Sequence, residues 1–551
     1  MKRTLVVLAL TLAGCKCSDK KPPPIVAEAP SKAWLDGTPE TDTAAPHDGG
    51  ALVVRAMVEP GGLNYLANEF RDGWTNRITR NNVFECLIEI DAADYSLRPQ
   101  LATSWAESDD HLTQTFHLRE GVKFHDGSPF SAADVIAVLD AVKNAKLPTD
   151  EVRADFADLD SYKAIDEHTV ELHWKKVSFL SLRQVAKLPI YPAKSLDGDW
   201  DKLALNRSPV GTGPFKVSKW EAGQKLELVR FDGYWGPRPH LDAITFRFVK
   251  DHTLAAALAE KGELDLFTQV QPTVWRAIEA ATAENRWAQT GFNRIRAPEN
   301  AYSYLAWNEA FAPFADPKVR HALSRAYPAE LIAQRVDMGL ELPTTCPFFL
   351  GSPHCDPSVK PLTFDPSAAR AELEAAGYKD TDADGVLERD GQPLRFKLLI
   401  PATSVRMGKL VPLLQEELKK AGVALEPDKA DPAVIDSRID KRDFDAVAQG
   451  WTEFDSEQDL FQTFHSSQAK SGANYPGLKD AELDKLLEDI RVELDPKKRL
   501  ELEHAVHRRV YELQPYTFMS VRQTLDLAKK RVHGLKPSLV WYDLKKAWVD
   551  P

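Results

Sequence analysis

The chain has 551 residues, and this length exceeds what one hydrophobic core usually supports, so two or three domains are expected. Hydrophobic residues make up 43% and charged residues 28%, which is typical of a soluble globular protein rather than a disordered one. The 82 acidic and 70 basic residues give a net charge of −12, and no run of Lys and Arg forms a basic stripe, which argues against a nucleic-acid partner. Beyond the N-terminus no apolar stretch approaches the ~18–20 residues that span a bilayer, which excludes an integral membrane protein.

The N-terminus resembles the signal sequence of a bacterial lipoprotein. A short basic start precedes an apolar segment over residues 5–13, which is the order of regions in a secretory signal peptide. The segment ends in Leu12-Ala13-Gly14-Cys15, which resembles a lipobox, the motif whose cysteine receives the lipid. We expect residues 1–14 to be a signal peptide that is removed and Cys15 to be lipidated; an ordinary signal peptide that contains a cysteine is the alternative. Residues 15–50 are rich in proline and are predicted to form a flexible tether.

Capping residues mark several helix starts along the chain. Ser131 and Asp134 form a capping box in front of apolar residues at helical spacing. Three further helices are predicted after Asp-Pro pairs, because aspartate caps a helix and proline is tolerated at its first position. They cover residues 316–326, 365–376 and 495–513.

A strand, a helix and a second strand are predicted one after another near the C-terminal third of the chain. Residues 396–400 have the composition of a buried strand, 410–421 have helical spacing and end at Gly422, and 423–425 are again apolar. Such a βαβ unit implies mixed α/β domains with some parallel pairing.

Three cysteines lie in the body of the chain. Cys346 and Cys355 bracket a short loop rich in proline and glycine, and the export signal favours a local disulfide between them. Two reduced thiols are the alternative, and a zinc site is less favoured because His354 is the only other soft ligand in the loop. Cys86 has apolar neighbours and is expected to pack as a small core residue.

One aspartate-rich segment resembles the first half of a calcium-binding loop. In Asp380-Thr381-Asp382-Ala383-Asp384-Gly385, carboxylates stand at positions one, three and five and glycine at six. Gly391 occupies position twelve, where a bidentate glutamate belongs, so a polar connection is the preferred interpretation and calcium the open alternative. No metal or cofactor is expected, and no enzyme either, because the common catalytic motifs are absent from the sequence.

Four blocks of the sequence, in this order, carry a family resemblance. They are residues 115–135, with the turn before the capped helix; 209–266, which starts Pro209-Val210-Gly211-Thr212-Gly213-Pro214-Phe215; 304–323, which includes Asp316-Pro317; and 444–451, which ends Gly450-Trp451. Together they resemble the substrate-binding proteins of the peptide/nickel class of ABC importers, extracellular solute-binding protein family 5. The resemblance covers residues 51–540.

The resemblance implies a bilobal α/β fold of the periplasmic-binding-protein type (type II, large cluster C, with an extra subdomain). In that family a hinge joins two mixed α/β lobes, and the ligand is enclosed between them. Lobe I is expected over residues 51–80, 205–305 and 525–551, an inserted subdomain over 81–204, and lobe II over 306–524.

The resemblance also implies a ligand-binding site around Trp451, although packing in the core is the alternative for this residue. In the family's dipeptide and oligopeptide binders, an aspartate three residues after this tryptophan pairs with the ammonium group of the ligand. That position is Phe454 here. Either Asp455 or Glu453 therefore takes that role, or the ligand has no free ammonium there. Other expected contacts are Thr452, Trp74, Tyr304, Asn308 and Arg406, whose guanidinium suits a ligand carboxylate or lies at the surface.

The expected function is that of a solute-binding lipoprotein outside the cytoplasm, in the periplasm or cell envelope. Two lobes would close around a small peptide, bind its backbone by strand addition, and deliver it to an ABC permease and its ATPase subunits. We expect a monomer anchored to a membrane by lipid, without a nucleic-acid partner. A non-peptide solute, such as a metal chelate or an oligosaccharide, is the alternative, and an exported lipoprotein enzyme a more distant one.

Overall fold

The computed structural model describes residues 45–551 except 93, 281–286, 288–289, 351, 453–454, 456 and 539–540. The expected signal peptide, Cys15 and most of the tether lie outside the described residues, as does Glu453. Within the described part, none of the helices is both long and apolar enough to cross a membrane.

Fourteen α-helices fall within the described residues. They are α1 (Gly73–Thr79), α2 (Ala132–Lys143), α3 (Asp150–Asp155), α4 (Ser181–Val185), α5 (His252–Glu260), α6 (Pro272–Glu279), α7 (Pro317–Arg325), α8 (Ala329–Arg335), α9 (Pro366–Ala375), α10 (Val405–Lys420), α11 (Pro432–Asp440), α12 (Phe461–Phe464), α13 (Ala481–Val492) and α14 (Pro496–Leu513).

Strands alternate with these helices along the described chain. They are β1 (Ala51–Ala56), β2 (Ile88–Ile90), β3 (Leu97–Pro99), β4 (Ala102–Glu107), β5 (Thr113–Leu118), β6 (Leu159–Asp166), β7 (Thr169–Trp174), β8 (Phe215–Glu221), β9 (Lys225–Arg230), β10 (Ala243–Phe248), β11 (Leu266–Phe267), β12 (Phe292–Pro298), β13 (Ala301–Trp307), β14 (Glu341–Pro343), β15 (Glu388–Arg389), β16 (Gln392–Pro393), β17 (Arg395–Pro401), β18 (Ala424–Ala430), β19 (Ala446–Thr452), β20 (Tyr516–Lys529), β21 (Val532–His533) and β22 (Trp548–Val549).

A twelve-stranded sheet runs through the molecule in the order β18-β17-β19-β13-β20-β11-β1-β10-β9-β8, with β12 and β14 also paired to β20. The first part of the long strand β20 pairs with β13 and β14, and its last part pairs with β11 and β12. We call β1 and β8–β12 the lobe I sheet, and β13, β14 and β17–β19 the lobe II sheet. Strand β20 therefore belongs to both.

A smaller antiparallel sheet, β4-β5-β7-β6, lies in the inserted segment, residues 81–204. Its apolar side packs with α2 into a core that is continuous with the core of the lobe I sheet, where Val135 and Leu139 join Leu52 and Val54. The lobe II sheet has a separate core on each of its faces. The inserted segment thus shares the core of the lobe I sheet, and it contacts lobe II through single groups such as the Phe179 N–H, which donates to the Arg491 carbonyl.

The helices predicted from capping residues are confirmed. Asp316, Asp365 and Asp495 each accept hydrogen bonds from the first backbone N–H groups of their helices, and Ser131 and Asp134 form the capping box of α2. The βαβ unit is also confirmed, because β17 and β18 pair in parallel on either side of α10 in the chain. Helix α10 starts five residues before its predicted start at 410, because the Ser404 hydroxyl caps it.

Candidate functional site

Two cavities lined by described residues meet at Trp451. The larger, of about 510 Å³, lies between lobe II residues 451–491 and a wall formed by residues 65–86 and 154–189. The smaller, of about 330 Å³, lies on the lobe II sheet beside β19 and β20. Trp451 is therefore the residue that the two cavities have in common.

The Trp451 side chain is fixed by other aromatic rings. It lies near the end of β19, paired in register with Tyr302 of β13. Its ring stacks on Tyr475 at 5.5 Å and on Tyr304 at 6.3 Å between centroids, and Tyr304 is itself stacked on Tyr516 at 3.9 Å. Tyr304 is one of the expected ligand contacts, but it is fully buried and lines neither cavity. It packs behind Trp451 and supports that ring.

Asp455 differs from the expectation of a carboxylate open to a ligand. Its side chain is 1% exposed and accepts a hydrogen bond of 2.5 Å from Arg183, while the Lys187 ammonium lies 2.9 Å away. Burial by itself raises the pKa of Asp455, but Lys187 and Arg183 outweigh that effect and hold the pKa below its usual value. Both cations come from the inserted segment, so Asp455 joins that segment to lobe II.

Arg406 lies in the cleft, as expected, but its guanidinium is already bound. It lines the smaller cavity and donates to both oxygens of Asp337, at 2.7 and 2.9 Å, and to Glu341 at 3.0 Å. Burial opposes a charged guanidinium, yet the bonds to Asp337 and the charge of Glu341 raise the pKa of Arg406. A ligand carboxylate would compete with two acidic partners at this residue.

The remaining expected contacts fall in different places. Thr452 lines the smaller cavity at the exposed end of β19. Trp74 is 5% exposed and packs edge-on against Trp541 in the core, so it lines neither of the two cavities. Asn308 donates to the backbone carbonyls of Arg442 and Phe444, which gives it a structural role at a turn.

Sequence reasoning missed the basic residues of the larger cavity. Its lining includes Arg71, Arg80, Arg183, Lys187 and Arg491. No motif marks them, because they come from three distant parts of the chain that meet only in the fold. The four-residue spacing of Arg183 and Lys187, typical of one helix face, is the one signal that sequence could have offered.

The disulfide between Cys346 and Cys355 is present, with Cα atoms 5.8 Å apart. Cys86 is a free thiol, buried as expected, and burial raises its pKa to about 12.

Among the described residues, Asp380, Asp382, Asp384 and Glu388 bring one oxygen each within 4.8 Å of one another. The aspartate-rich loop therefore gathers carboxylates, although its twelfth position lacks one.

A second group with metal-ligand chemistry consists of His354, Glu457 and Glu503. His354 and Glu503 share a hydrogen bond of 2.5 Å, and the Arg499 guanidinium lies 3.4 Å from Glu457 and 3.8 Å from Glu503. Since the His354 hydrogen bond and the Arg499 guanidinium already engage both carboxylates, the group is a hydrogen-bonded ion-pair network.

Comparison with known proteins gives consistent matches. The family described as bacterial extracellular solute-binding proteins, family 5 Middle, matches residues 96–472. The chain is 28% identical to the oligopeptide-binding protein AppA of Bacillus subtilis over 565 aligned positions, covering 100% of this chain and 98% of that protein. It is 25% identical to the dipeptide-binding protein of Escherichia coli, covering 88% of this chain and 94% of that one.

Solved structures agree with these relatives. AppA of Bacillus subtilis in complex with a nonapeptide matches with a TM-score of 0.74 at 27% identity, over 92% of this chain and 100% of that one. NikA of Brucella suis in complex with Fe(III)-EDTA matches with a TM-score of 0.80 at 24% identity, over 91% of this chain and 100% of that one, which supports the fold. The bilobal α/β fold expected from the resemblance is therefore confirmed, and the chain belongs to family 5 of the bacterial extracellular solute-binding proteins.

Proposed function

We propose that this protein captures short peptides between its lobes and hands them to a membrane permease. The main observation in support is that, in the described part of the chain, one edge of strand β19 is unpaired over residues 448–452. Strand β17 pairs with β19 at Ala446 and Val447, and within the described residues no strand pairing or backbone hydrogen bond forms on that edge from residue 448 to 452. These residues line the smaller cavity, where an extended peptide can add as a further strand through its backbone.

Closure of the lobes is proposed to enclose the peptide. Two connections cross between the lobe sheets: β20, and the junction between β12 and β13. We assign residues 299–300 and 521–523 as the hinge, close to the boundaries at 305 and 525 that the resemblance implies. A rotation there would carry Trp451 and the free edge of β19 toward the wall formed by lobe I and the inserted segment.

The protein is proposed to work at the outer side of a membrane. The extracellular solute-binding family places it in the periplasm or cell envelope, and the lipobox around Cys15 supports anchoring by lipid. Its partners are an ABC permease and its ATPase subunits. It acts as a monomer and releases its ligand chemically unchanged.

Backbone N-methylation of a bound peptide tests the proposal. Native mass spectrometry of the purified protein first identifies a peptide that it retains or that it selects from a tetrapeptide library. Calorimetry then measures versions of that peptide methylated at one backbone nitrogen at a time. Each lost hydrogen bond to β19 should weaken binding about tenfold, and because strand residues alternate, methylation at the next nitrogen should be tolerated.

Two results would contradict the proposal. Uniform tolerance of methylation would exclude strand addition at β19 while keeping a peptide ligand. A retained metal chelate or oligosaccharide, together with no binding of any peptide, would replace the peptide by a non-peptide solute.

A further inference from the structure

The charges around the larger cavity are almost completely paired. Arg71 lies 3.5 Å from Glu151 and 3.7 Å from Asp155. Arg491 donates a hydrogen bond of 3.0 Å from Nε to Asp459. Each of these cations therefore has a carboxylate of its own beside the cavity.

The cations of the inserted segment are balanced in the same way. Arg183 and Lys187 both contact Asp455, and Arg183 also lies 3.8 Å from Glu457. Arg499 lies 3.4 Å from Glu457 and 3.8 Å from Glu503, so three cations face three carboxylates at this side of the cavity. No carboxylate here lacks a cation of its own, so a free ligand ammonium finds no unbalanced negative charge in this cluster.

Arg80 is the exception in this arrangement. It caps the C-terminal end of α1 and lines the larger cavity beside Thr79, Phe84 and Cys86. Within the described part of the chain, no carboxylate lies within 4.0 Å of its guanidinium, and no side-chain hydrogen bond involves it. The carboxylate of Glu89, which borders a small neighbouring cavity with Arg80, is instead bound to Lys545 at 3.0 Å.

A half-buried guanidinium without a counter-charge suits an anionic group that arrives with a ligand, because its N–H donors can form charge-assisted hydrogen bonds with that group. The surroundings of Arg80 strengthen this argument, because Phe84 and the buried thiol of Cys86 carry no negative charge that would compete with a ligand for the guanidinium. Arg406, which borders the smaller cavity, differs in that it already binds Asp337 and Glu341. The larger cavity thus carries one positive charge that nothing in the described chain neutralises.

We infer that the cleft selects solutes with an anionic group, which for a peptide is a carboxylate, and that Arg80 binds this group. The inference rests on the proposed function and gives it a substrate class: the ligand is recognised by its negative charge and needs no free ammonium at Asp455. A peptide that lies along β19 with its C-terminus beyond Trp451 would bring its carboxylate into the larger cavity.

A paired peptide library tests this inference on the full-length protein. Tetrapeptides are offered as an equimolar mixture of free acids and C-terminal amides, and native mass spectrometry reports the ratio of bound acid to bound amide. The wild type should prefer the acids by roughly 30-fold or more, the loss expected when one partner of a buried charge pair is missing. Arg80→Gln should bring the ratio close to one, and Arg80→Lys should restore part of the preference.

Arg238→Gln is the matched control, because Arg238 is an exposed arginine that lines neither of the two cavities nor the small cavity beside Arg80. It should bind like the wild type. A ratio near one in the wild type, or an unchanged ratio in Arg80→Gln, would overturn the anion selectivity while leaving peptide capture intact. Failure of the wild type to bind any tetrapeptide in either form would instead overturn the peptide function, and this inference with it.

Discussion

At the scale of single residues, Asp455 acts as a connector between two parts of the chain. It is buried on lobe II, and its partners Arg183 and Lys187 come from the inserted segment. Removing the charge from such a pair leaves the cations without their closest counter-charge. Its contribution is therefore to the stability of the contact between these two parts.

We predict that Asp455→Asn lowers the free energy of unfolding by about 3–5 kcal/mol at neutral pH. Because the pKa of Asp455 is lowered in the folded state, its contribution is present above the unfolded pKa and is lost as pH falls through the folded pKa. Urea unfolding at pH 7 and pH 3 measures both effects, with exposed Asp109→Asn as the control. A large loss of ligand affinity with unchanged stability would restore the role of Asp455 as a ligand anchor.

Trp451 is the residue on which both cavities converge. We predict that Trp451→Ala weakens ligand binding by about 2 kcal/mol, because a rigid aromatic ring at the centre of a cleft provides much of the contact. Trp451→Phe should lose less, since Tyr475 and Tyr304 can still stack on a phenyl ring. Calorimetry checks this against Trp105→Ala, a half-buried tryptophan of β4. Equal affinities for wild type and Trp451→Ala would exclude the ring from the site.

At the scale of elements, the loop over residues 346–355 is closed by a disulfide on the edge of a lobe II core. Cys346 is 2% exposed and packs with Phe348 and Leu350. We predict that the double variant Cys346→Ser/Cys355→Ser loses about 2–3 kcal/mol of stability, the chain-entropy value for so short a loop, and stays folded. Urea unfolding measures the loss, and peptide mapping without reductant should recover the linked pair. Two thiols that react freely with alkylating reagent would contradict the bond.

The segment that carries Glu85 is held to the loop after β9 by buried hydrogen bonds. The Glu85 side chain is fully buried and accepts bonds of 2.8 Å from the Tyr234 hydroxyl and from the Trp235 indole. Burial, which exceeds the opposing effect of these donors, raises the pKa of Glu85 to about 7. Glu85 therefore binds a proton more strongly in the folded state than in the unfolded one.

A raised folded-state pKa makes the contribution of Glu85 largest at low pH and reduces it as pH rises toward 7. We predict that the stability of the wild type relative to Glu85→Gln falls by about 3 kcal/mol between pH 4.5 and pH 8. Urea unfolding across this range checks it, with the exposed Glu120→Gln as the control. A stability difference that stays constant with pH would show that Glu85 is ionised in the folded protein.

At the scale of the whole molecule, the location of the protein depends on a residue outside the described structure. We predict that Cys15→Ser gives a soluble or unprocessed protein, because the cysteine thiol is the acyl acceptor and two or three acyl chains are needed for stable anchoring. Fractionation of cells that express either form measures this. Persistence of the processed variant in the membrane fraction would contradict the lipobox interpretation, while Cys86→Ser should fractionate like the wild type.

Local features of the sequence determined much of the architecture. Asp316, Asp365, Asp495 and Ser131 cap their helices as predicted, since a cap depends on a few neighbouring residues. The parallel strands around α10 followed from apolar periodicity, and the disulfide from two cysteines in one short loop. The order of the motif blocks was enough to indicate the family and the bilobal fold.

The tertiary structure decided which charges are available to a ligand. Asp455 and Arg406 have the chemistry of ligand anchors, but Arg183, Lys187, Asp337 and Glu341 reach them from distant parts of the chain. Pairing of this kind depends on distances between elements, which a linear sequence does not contain. The same holds for Arg80, whose importance lies in the absence of a partner among the described residues, and for the free edge of β19, which exists because β17 diverges after Val447.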